Sequence, residues 1–222
     1  MYKAHTRHLL TIAFVIYLVT AIVQALLSLL GPFGALLGAI IGIIAAFLLQ
    51  AALVKAVEDV RDGRADMSIG DTVQAARPFV GRVAVASILA GIAIVIGLVL
   101  IIVPGLFLLT IWCLIVPVIV LEGTGVGAAF ERSRALVKGH GWQVFGTIIL
   151  VFLLLLVVSI LISLVLAVLP TAWSNFIGGI VSGTLVSPFL ALVLTLGYFR
   201  LRDVHGAGPQ GAPPAPGGYG PA

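Results

Sequence analysis

Long apolar stretches without any charged side chain constrain this chain more than any other feature. A helix needs about 20 apolar residues to cross a hydrocarbon core of roughly 30 Å. Six stretches are candidates by composition, at residues 9–30, 33–54, 83–103, 106–121, 144–169 and 176–199. The sequence therefore predicts an all-α, polytopic membrane protein, with six transmembrane helices arranged as three hairpins in a domain at 1–205.

Composition agrees with this prediction. Of the 222 residues, 61% are hydrophobic and only 9% are charged, which lies outside the range of soluble domains. The first stretch is too long for a signal peptide, whose apolar region has roughly 7–15 residues. The fourth is the shortest, so we expect it to be tilted little, to thin the bilayer or to be re-entrant. Gly, Pro and Ala dominate at 206–222, which predicts a disordered tail.

All twelve basic residues fall in alternate connections between the stretches. Short loops rich in Lys and Arg stay in the cytoplasm, so we expect a multi-pass protein of the cytoplasmic membrane with both termini inside. The outward turns are then short and uncharged, at Gly31-Pro32, Pro104-Gly105 and 170–175. The six stretches also lack Asp, Glu, Lys, Arg and His. Their absence argues against a proton-coupled transporter or an ion pump.

Two polar segments show helical apolar spacing, and they predict two cytoplasmic interfacial helices. In the first, Ser68 and Asp71 resemble a capping box, and Pro78 is expected to end the helix. In the second, Thr124 is the expected N-cap, and Lys138-Gly139 is a C-terminal signal. We expect the apolar stripe of this second helix to dip into the acyl boundary of the membrane. The stripe consists of Val126, Phe130, Ser133 and Val137.

Small residues recur at every fourth position in the second and sixth stretches. Because lipid supplies no hydrophobic drive between helices, close backbone approach along such stripes is a main source of helix association. The predicted packing positions are Gly34, Gly38, Gly42, Gly179, Gly183 and Ser187. Two prolines, Pro117 and Pro188, are expected to kink the fourth and sixth helices.

The strongest lead for an enzyme is the run from Asp59 to Gly63. It resembles the D-x-x-D-G opening of the CDP-alcohol phosphotransferases, whose aspartates hold a divalent metal. The rest of that motif is missing, because Asp66-Met67 stands where Ala-Arg would begin and Asp71 has no second aspartate four residues away. The sequence therefore predicts no catalytic constellation, no metal site and no cofactor. It also predicts no nucleic-acid partner.

A longer pattern combines a Pro-Gly turn, a helix that ends in Glu-Gly, and a short Ala-x-x-x-Ser-x-x-Leu helix before a tryptophan. It is carried by Pro104, Gly105, Leu106, Phe107, Pro117, Glu122, Ala129, Ser133, Leu136, Gly139 and Trp142, and later by Tyr198, Leu201 and Arg202. The chain thus resembles the membrane domain that is fused to bacterial glycerophosphodiester phosphodiesterases and also occurs in stand-alone membrane proteins. Ile111 replaces an expected basic residue, and Arg200 an expected aspartate. The resemblance implies a membrane module without the hydrolase.

The favoured function is a non-enzymatic accessory or scaffold module of the cytoplasmic membrane. Its charged inner surface would contact membrane lipids, anionic ones in particular, or a protein partner on the cytoplasmic side. The candidate surface consists of Glu122, Glu131, Arg132, Arg134 and Lys138. The second hypothesis is a carrier for a small or lipidic solute, and the third is an enzyme that acts on phospholipid precursors.

Overall fold

The computed structural model describes the backbone of residues 2–61, 67–167 and 171–206, and the side chains of 9–61, 67–167 and 177–206. The predicted tail lies outside these residues apart from Gly206. The described part of the chain is helical throughout. Its helices are α1 (Tyr2–Ser28), α2 (Gly31–Arg61), α3 (Ile69–Leu100), α4 (Ile102–Trp112), α5 (Ile115–Glu122), α6 (Val126–Val137), α7 (Gly141–Leu166) and α8 (Thr171–Val204).

Six segments of the described chain are long and apolar enough to cross a membrane. They are Leu9–Ser28, Gly31–Arg61, Ile69–Leu100, Ile102–Glu122, Gly141–Leu166 and Ile177–Val204. The predictions of an all-α fold and of six such helices are therefore confirmed. Helices adjacent in the chain also pack together, α1 with α2, α3 with α4, and α7 with α8.

The first predicted interfacial helix is not a separate helix, because α3 continues through Pro78 to Leu100. The predicted capping box is confirmed: the Ser68 hydroxyl accepts from the Asp71 N–H, and the Asp71 carboxylate accepts from the Ser68 N–H. Pro78 removes one intrahelical hydrogen bond, to the carbonyl of Gln74. Both residues are exposed, so this carbonyl need not be buried unpaired and the helix continues.

The fourth span is broken between α4 and α5, at Cys113 and Leu114. Pro117 explains the position of the break, because its ring clashes with the carbonyl four residues earlier, which belongs to Cys113. Beyond the break, α5 contacts α2, α3, α6 and α8. A short helix thereby becomes the centre of the bundle. Pro188, in contrast, is buried within the continuous helix α8.

The turn between α3 and α4 lies at Ile101, so its predicted position at Pro104-Gly105 is wrong. Ile101 has extended backbone angles, and the two residues expected to form the turn belong to the first turn of α4. Proline is tolerated there because the first N–H groups of a helix have no intrahelical partner. Gly105 packs against α3, since a Cβ atom on Gly97 would lie 3.0 Å from the Gly105 Cα atom.

The second predicted interfacial helix is separate and corresponds to α6. Its N-cap is Gly125 rather than Thr124, whose hydroxyl is buried without a hydrogen-bond partner in the described chain. Its C-terminal signal is confirmed: Lys138 is the C-cap, and Gly139 has a φ of +86°, in the left-handed region that favours glycine.

The main buried core lies near one end of the bundle. It combines the second half of α2, the part of α3 from Ala76 to Ala90, α5, the inner face of α6 and the end of α8. The long helix α7 contributes little, because Val151 is the one buried residue between Gly141 and Leu166. Most of its apolar side chains are exposed, Leu150 and Phe152 among them, as expected for a helix surrounded by lipid.

The predicted packing glycines are distributed over two contacts. A Cβ atom on Gly34 would meet the carbonyl of Leu27, and one on Gly42 would meet the side chain of Gln24. Between them, the carbonyl of Gly38 accepts a hydrogen bond of 3.2 Å from the Gln24 amide. The first stripe therefore faces α1. On α8, Gly183 and Ser187 face Tyr17 of α1, whereas Gly179 is exposed and has open space at its Cβ position.

Candidate functional site

Charged side chains from α2, α3, α6 and α8 gather at the end of the bundle where the main core lies. Arg82 of α3 donates 2.7 and 3.3 Å hydrogen bonds to the carbonyls of Gly123 and Thr124. This contact holds the turn between α5 and α6 against α3. It also satisfies carbonyl groups just beyond the C-terminus of α5.

Glu122 lies at the centre of this end. Its carboxylate accepts hydrogen bonds of 3.0 and 3.1 Å from the Nε atom of Arg132. It also accepts one of 2.8 Å from the hydroxyl of Tyr198, which is 0% exposed. One carboxylate thus joins three helices, α5, α6 and α8. Charge-assisted hydrogen bonds of this kind are about twice as strong as neutral ones.

A second set of contacts connects α6 to the break in the fourth span. The hydroxyl of Ser133, which is fully buried, donates a 2.8 Å hydrogen bond to the carbonyl of Ile111. Ile111 belongs to the last turn of α4, where carbonyl groups have no intrahelical partner. The aromatic rings of Phe130 and Trp112 meet edge to face nearby, with centroids 4.9 Å apart. These contacts stabilise the broken span from the side.

Two arginines share the ring of Phe199 near the end of α8. The Arg61 guanidinium lies 3.7 Å from the ring centroid and that of Arg202 lies 5.0 Å from it. Both also approach the carboxylate of Asp203, with the Nη2 atom of Arg61 3.7 Å and the Nε atom of Arg202 3.9 Å from its oxygens. The carboxylate is more than half exposed, so these long ion pairs contribute little stability.

The apolar stripe of α6 does not face outward, so the prediction that it dips into the acyl boundary is wrong. Val137 is buried in the main core, and Val126 and Phe130 pack against that core. The stripe covers the protein's own broken span, where apolar surface is also removed from water. The opposite face of α6 carries Glu131, Arg134 and Lys138, and all three are exposed.

The structure therefore divides the five predicted surface residues into two groups. Glu122 and Arg132 are paired with each other and only partly exposed. Glu131, Arg134 and Lys138 form the outer face of α6. Arg134 and Lys138 make no side-chain hydrogen bond or ion pair within the described chain, and the same is true of Arg77 and Arg200. The unpaired cations are the groups open to a ligand.

Two histidines lie beside the end of α6. The rings of His140 and His205 are 5.5 Å apart, and the Nε2 atom of His205 lies 3.3 Å from the carbonyl of Lys138. Within the described residues, no three His, Cys, Asp or Glu side chains form a group that could hold a metal ion. Residues 62–66, which include Asp62 and Gly63 of the phosphotransferase-like run, lie outside the described residues.

A cavity of about 180 Å³ lies between α1, α2, α5 and α8, beside the break in the fourth span. Val116 and Pro117 of α5 contribute to its wall, and its polar groups belong to Tyr17, Gln50 and Ser187. The hydroxyls of Tyr17 and Ser187 share a 2.8 Å hydrogen bond. Sequence reasoning missed this cavity, because the stripe that contains Ser187 gives no indication of which helix it faces.

Sequence reasoning also missed the role of Arg82, which it counted only as a loop cation. The expectation that Pro78 ends the helix hid this role, because it placed Arg82 in a loop, whereas α3 continues through both residues.

Comparison with models of protein families, with curated proteins and with solved structures finds no match for this chain. The resemblance to the glycerophosphodiester phosphodiesterase membrane domain therefore stays a prediction. Several of the residues that carry it, Glu122, Ser133, Tyr198 and Arg202, lie in the contacts described above.

Proposed function

We propose that this protein is a non-enzymatic accessory or scaffold module of the cytoplasmic membrane, with its charged end on the cytoplasmic side. That end contacts anionic lipid head groups or a partner protein. The observation that carries the proposal is the division of charge on α6. Arg132 is held by Glu122, whereas Arg134 and Lys138 project from the opposite face without partners among the described residues.

Anionic lipid is the favoured contact because of what holds α6 in place. The helix is fixed by Arg132 and Ser133, so its two free cations are presented from a rigid element. Each cation near an anionic membrane surface contributes about 1 kcal/mol. Two cations on a fixed helix therefore favour the binding of anionic lipid by roughly 2 kcal/mol. The side chains of Arg77 and Arg200 add further positive charge.

Lipid retention tests this proposal. The parent and the double variant Arg134→Gln/Lys138→Gln are reconstituted in vesicles of phosphatidylcholine and phosphatidylglycerol and then washed with detergent. We expect the double variant to retain less phosphatidylglycerol than the parent. Retention of phosphatidylcholine should not change. The measurement is quantification of bound lipid by mass spectrometry. Arg132 is left intact because its loss would disturb the contact with Glu122.

Glu131→Gln is the matched control, since it changes charge on the same exposed face in the opposite direction. Its phosphatidylglycerol retention should equal or exceed that of the parent. If the double variant retains as much phosphatidylglycerol as the parent, the two cations serve only to set orientation, and the lipid contact is refuted.

Orientation is tested separately by reporter fusions. Fusions after Gly63, Gly139 and Gly206 should report the cytoplasm, and fusions after Pro32 or Thr171 the opposite side, because basic loops are retained inside. An external signal after Gly139 would overturn the six-span arrangement. The assay compares a phosphatase reporter, active outside, with a fluorescent reporter, active inside.

A carrier for a small or lipidic solute is the second candidate function. It is favoured by the cavity beside the break at Cys113 and Leu114, because carriers often place their sites where a membrane helix is discontinuous. None of the described residues in the wall of this cavity is Asp, Glu, Lys, Arg or His. A carrier of this kind would move a neutral solute and would not couple it to protons through such a side chain.

A further inference from the structure

We propose that the cavity between α1, α2, α5 and α8 binds a neutral hydroxyl-bearing group attached to a short alkyl segment. This inference does not depend on the lipid contact proposed for the charged end. It rests on the size of the cavity, its polar groups and the exposure of one wall.

The size of the cavity limits what enters it. A cavity of about 150 Å³ in another protein holds one benzene molecule, so about 180 Å³ accommodates a group of roughly six or seven carbon atoms. A complete phospholipid is far too large, whereas a short chain or the end of a larger molecule fits.

The chemistry of the wall selects a neutral hydroxyl. Tyr17 and Ser187 share one hydrogen bond, so one of their two hydroxyl hydrogens remains available to a ligand. Gln50 has no hydrogen-bond partner among the described residues, and its amide has both donors and an acceptor. The other described residues of the wall are apolar and uncharged, so an ionised ligand would lose its hydration without compensation.

The cavity is reached from the surface of the spans. Ala46, Gln50 and Leu190 lie in its wall and are also exposed. An unpaired amide in the hydrocarbon region costs several kcal/mol, which a hydroxyl ligand beside Gln50 would offset. The same group is available from two sources, a soluble alcohol or a neutral glyceride of the bilayer.

Photolabelling in lipid nanodiscs tests the site. The probe is hexanol that carries a diazirine, and adducts are located by peptide mass spectrometry. Labelling of peptides with Tyr17, Gln50 and Ser187 should saturate with probe concentration, whereas labelling of α7, which faces lipid, should rise linearly. Hexanol should compete and hexanoate should not. Competition by dioleoylglycerol would identify the bilayer as the source, and competition by hexanol alone a soluble solute.

Two variants separate binding from folding. Ala46→Phe should abolish the saturable labelling by filling the cavity, whereas Ala39→Phe, exposed on the same helix but outside the cavity, should not. Gln50→Leu should raise the half-saturating probe concentration by about fivefold, as expected for one lost hydrogen bond between the ligand and the amide. The proposal would be overturned by labelling that rises linearly at all sites, or by competition from hexanoate. It would also be overturned if Ala46→Phe and Ala39→Phe changed the saturable labelling equally.

Discussion

Gly183→Leu is expected to destabilise the protein strongly. A Cβ atom at position 183 would lie 2.5 Å from the Cζ atom of the Tyr17 ring, a distance that real side chains do not tolerate. The ring cannot easily retreat, because its hydroxyl is bonded to Ser187 one turn further along α8. Overpacking of this kind costs about 1–3 kcal/mol. We expect a lower melting temperature in detergent and a smaller monodisperse fraction in size-exclusion chromatography.

Gly179→Leu provides the matched control for this prediction. Gly179 lies one turn earlier on α8 and belongs to the same sequence stripe, but a Cβ atom there would meet nothing within 4 Å. Its substitution should leave the melting temperature nearly unchanged. If Gly183→Leu and Gly179→Leu lower the melting temperature equally, both positions are required for packing, and the contact of α1 with Gly183 alone does not explain the loss of stability.

The second large effect is expected at Glu122. Glu122→Ala removes the acceptor for both Arg132 and Tyr198, so a half-buried guanidinium and a fully buried hydroxyl lose their partner together. Breaking a fully buried ion pair costs ~3–5 kcal/mol, and this pair is partly exposed, so we expect a loss of roughly 2–3 kcal/mol. The melting temperature should fall by roughly 5–10 °C in a chain of this size.

Glu131→Ala is the control for this prediction, because it removes an exposed carboxylate from the same region and should have almost no effect. Tyr198→Phe removes one hydrogen bond and should cost about 1 kcal/mol. A double-mutant cycle of Glu122→Ala and Arg132→Ala should give an interaction energy above about 0.5 kcal/mol. If the double variant instead loses the sum of the free energies lost by the two single variants, the contact that joins α5 to α6 is contradicted.

The sequence predicts the helical segments of this fold well. Each apolar stretch without charge lies in a helical segment of spanning length, although the fourth is divided between α4 and α5. Lipid leaves the backbone no other way to satisfy its hydrogen bonds. The capping box of Ser68 and Asp71 and the C-terminal signal at Lys138-Gly139 were also correct, since they depend on residues close together in the chain.

What the sequence could not predict depends on tertiary contacts. Pro78 and Pro117 look alike in the sequence, but one lies within a continuous helix and the other follows a break. The difference follows from burial, because Pro117 lies in the core whereas Pro78 is exposed. In α6 the apolar stripe predicts contact with lipid, but it packs against the main core instead. Lipid and the protein's own core both satisfy such a stripe, and only the fold distinguishes them.

The central position of α5 has a consequence for the order of assembly during synthesis. Its neighbours α2, α3 and α6 precede α8 in the chain, so α8 is synthesised after all three. Until then, Glu122 cannot accept the hydrogen bond from the Tyr198 hydroxyl. The part of the core to which α8 contributes also stays exposed. Membrane insertion of the first five spans can precede this step, whereas closure of the charged end cannot. The protein therefore reaches its native packing only after synthesis has passed Arg202.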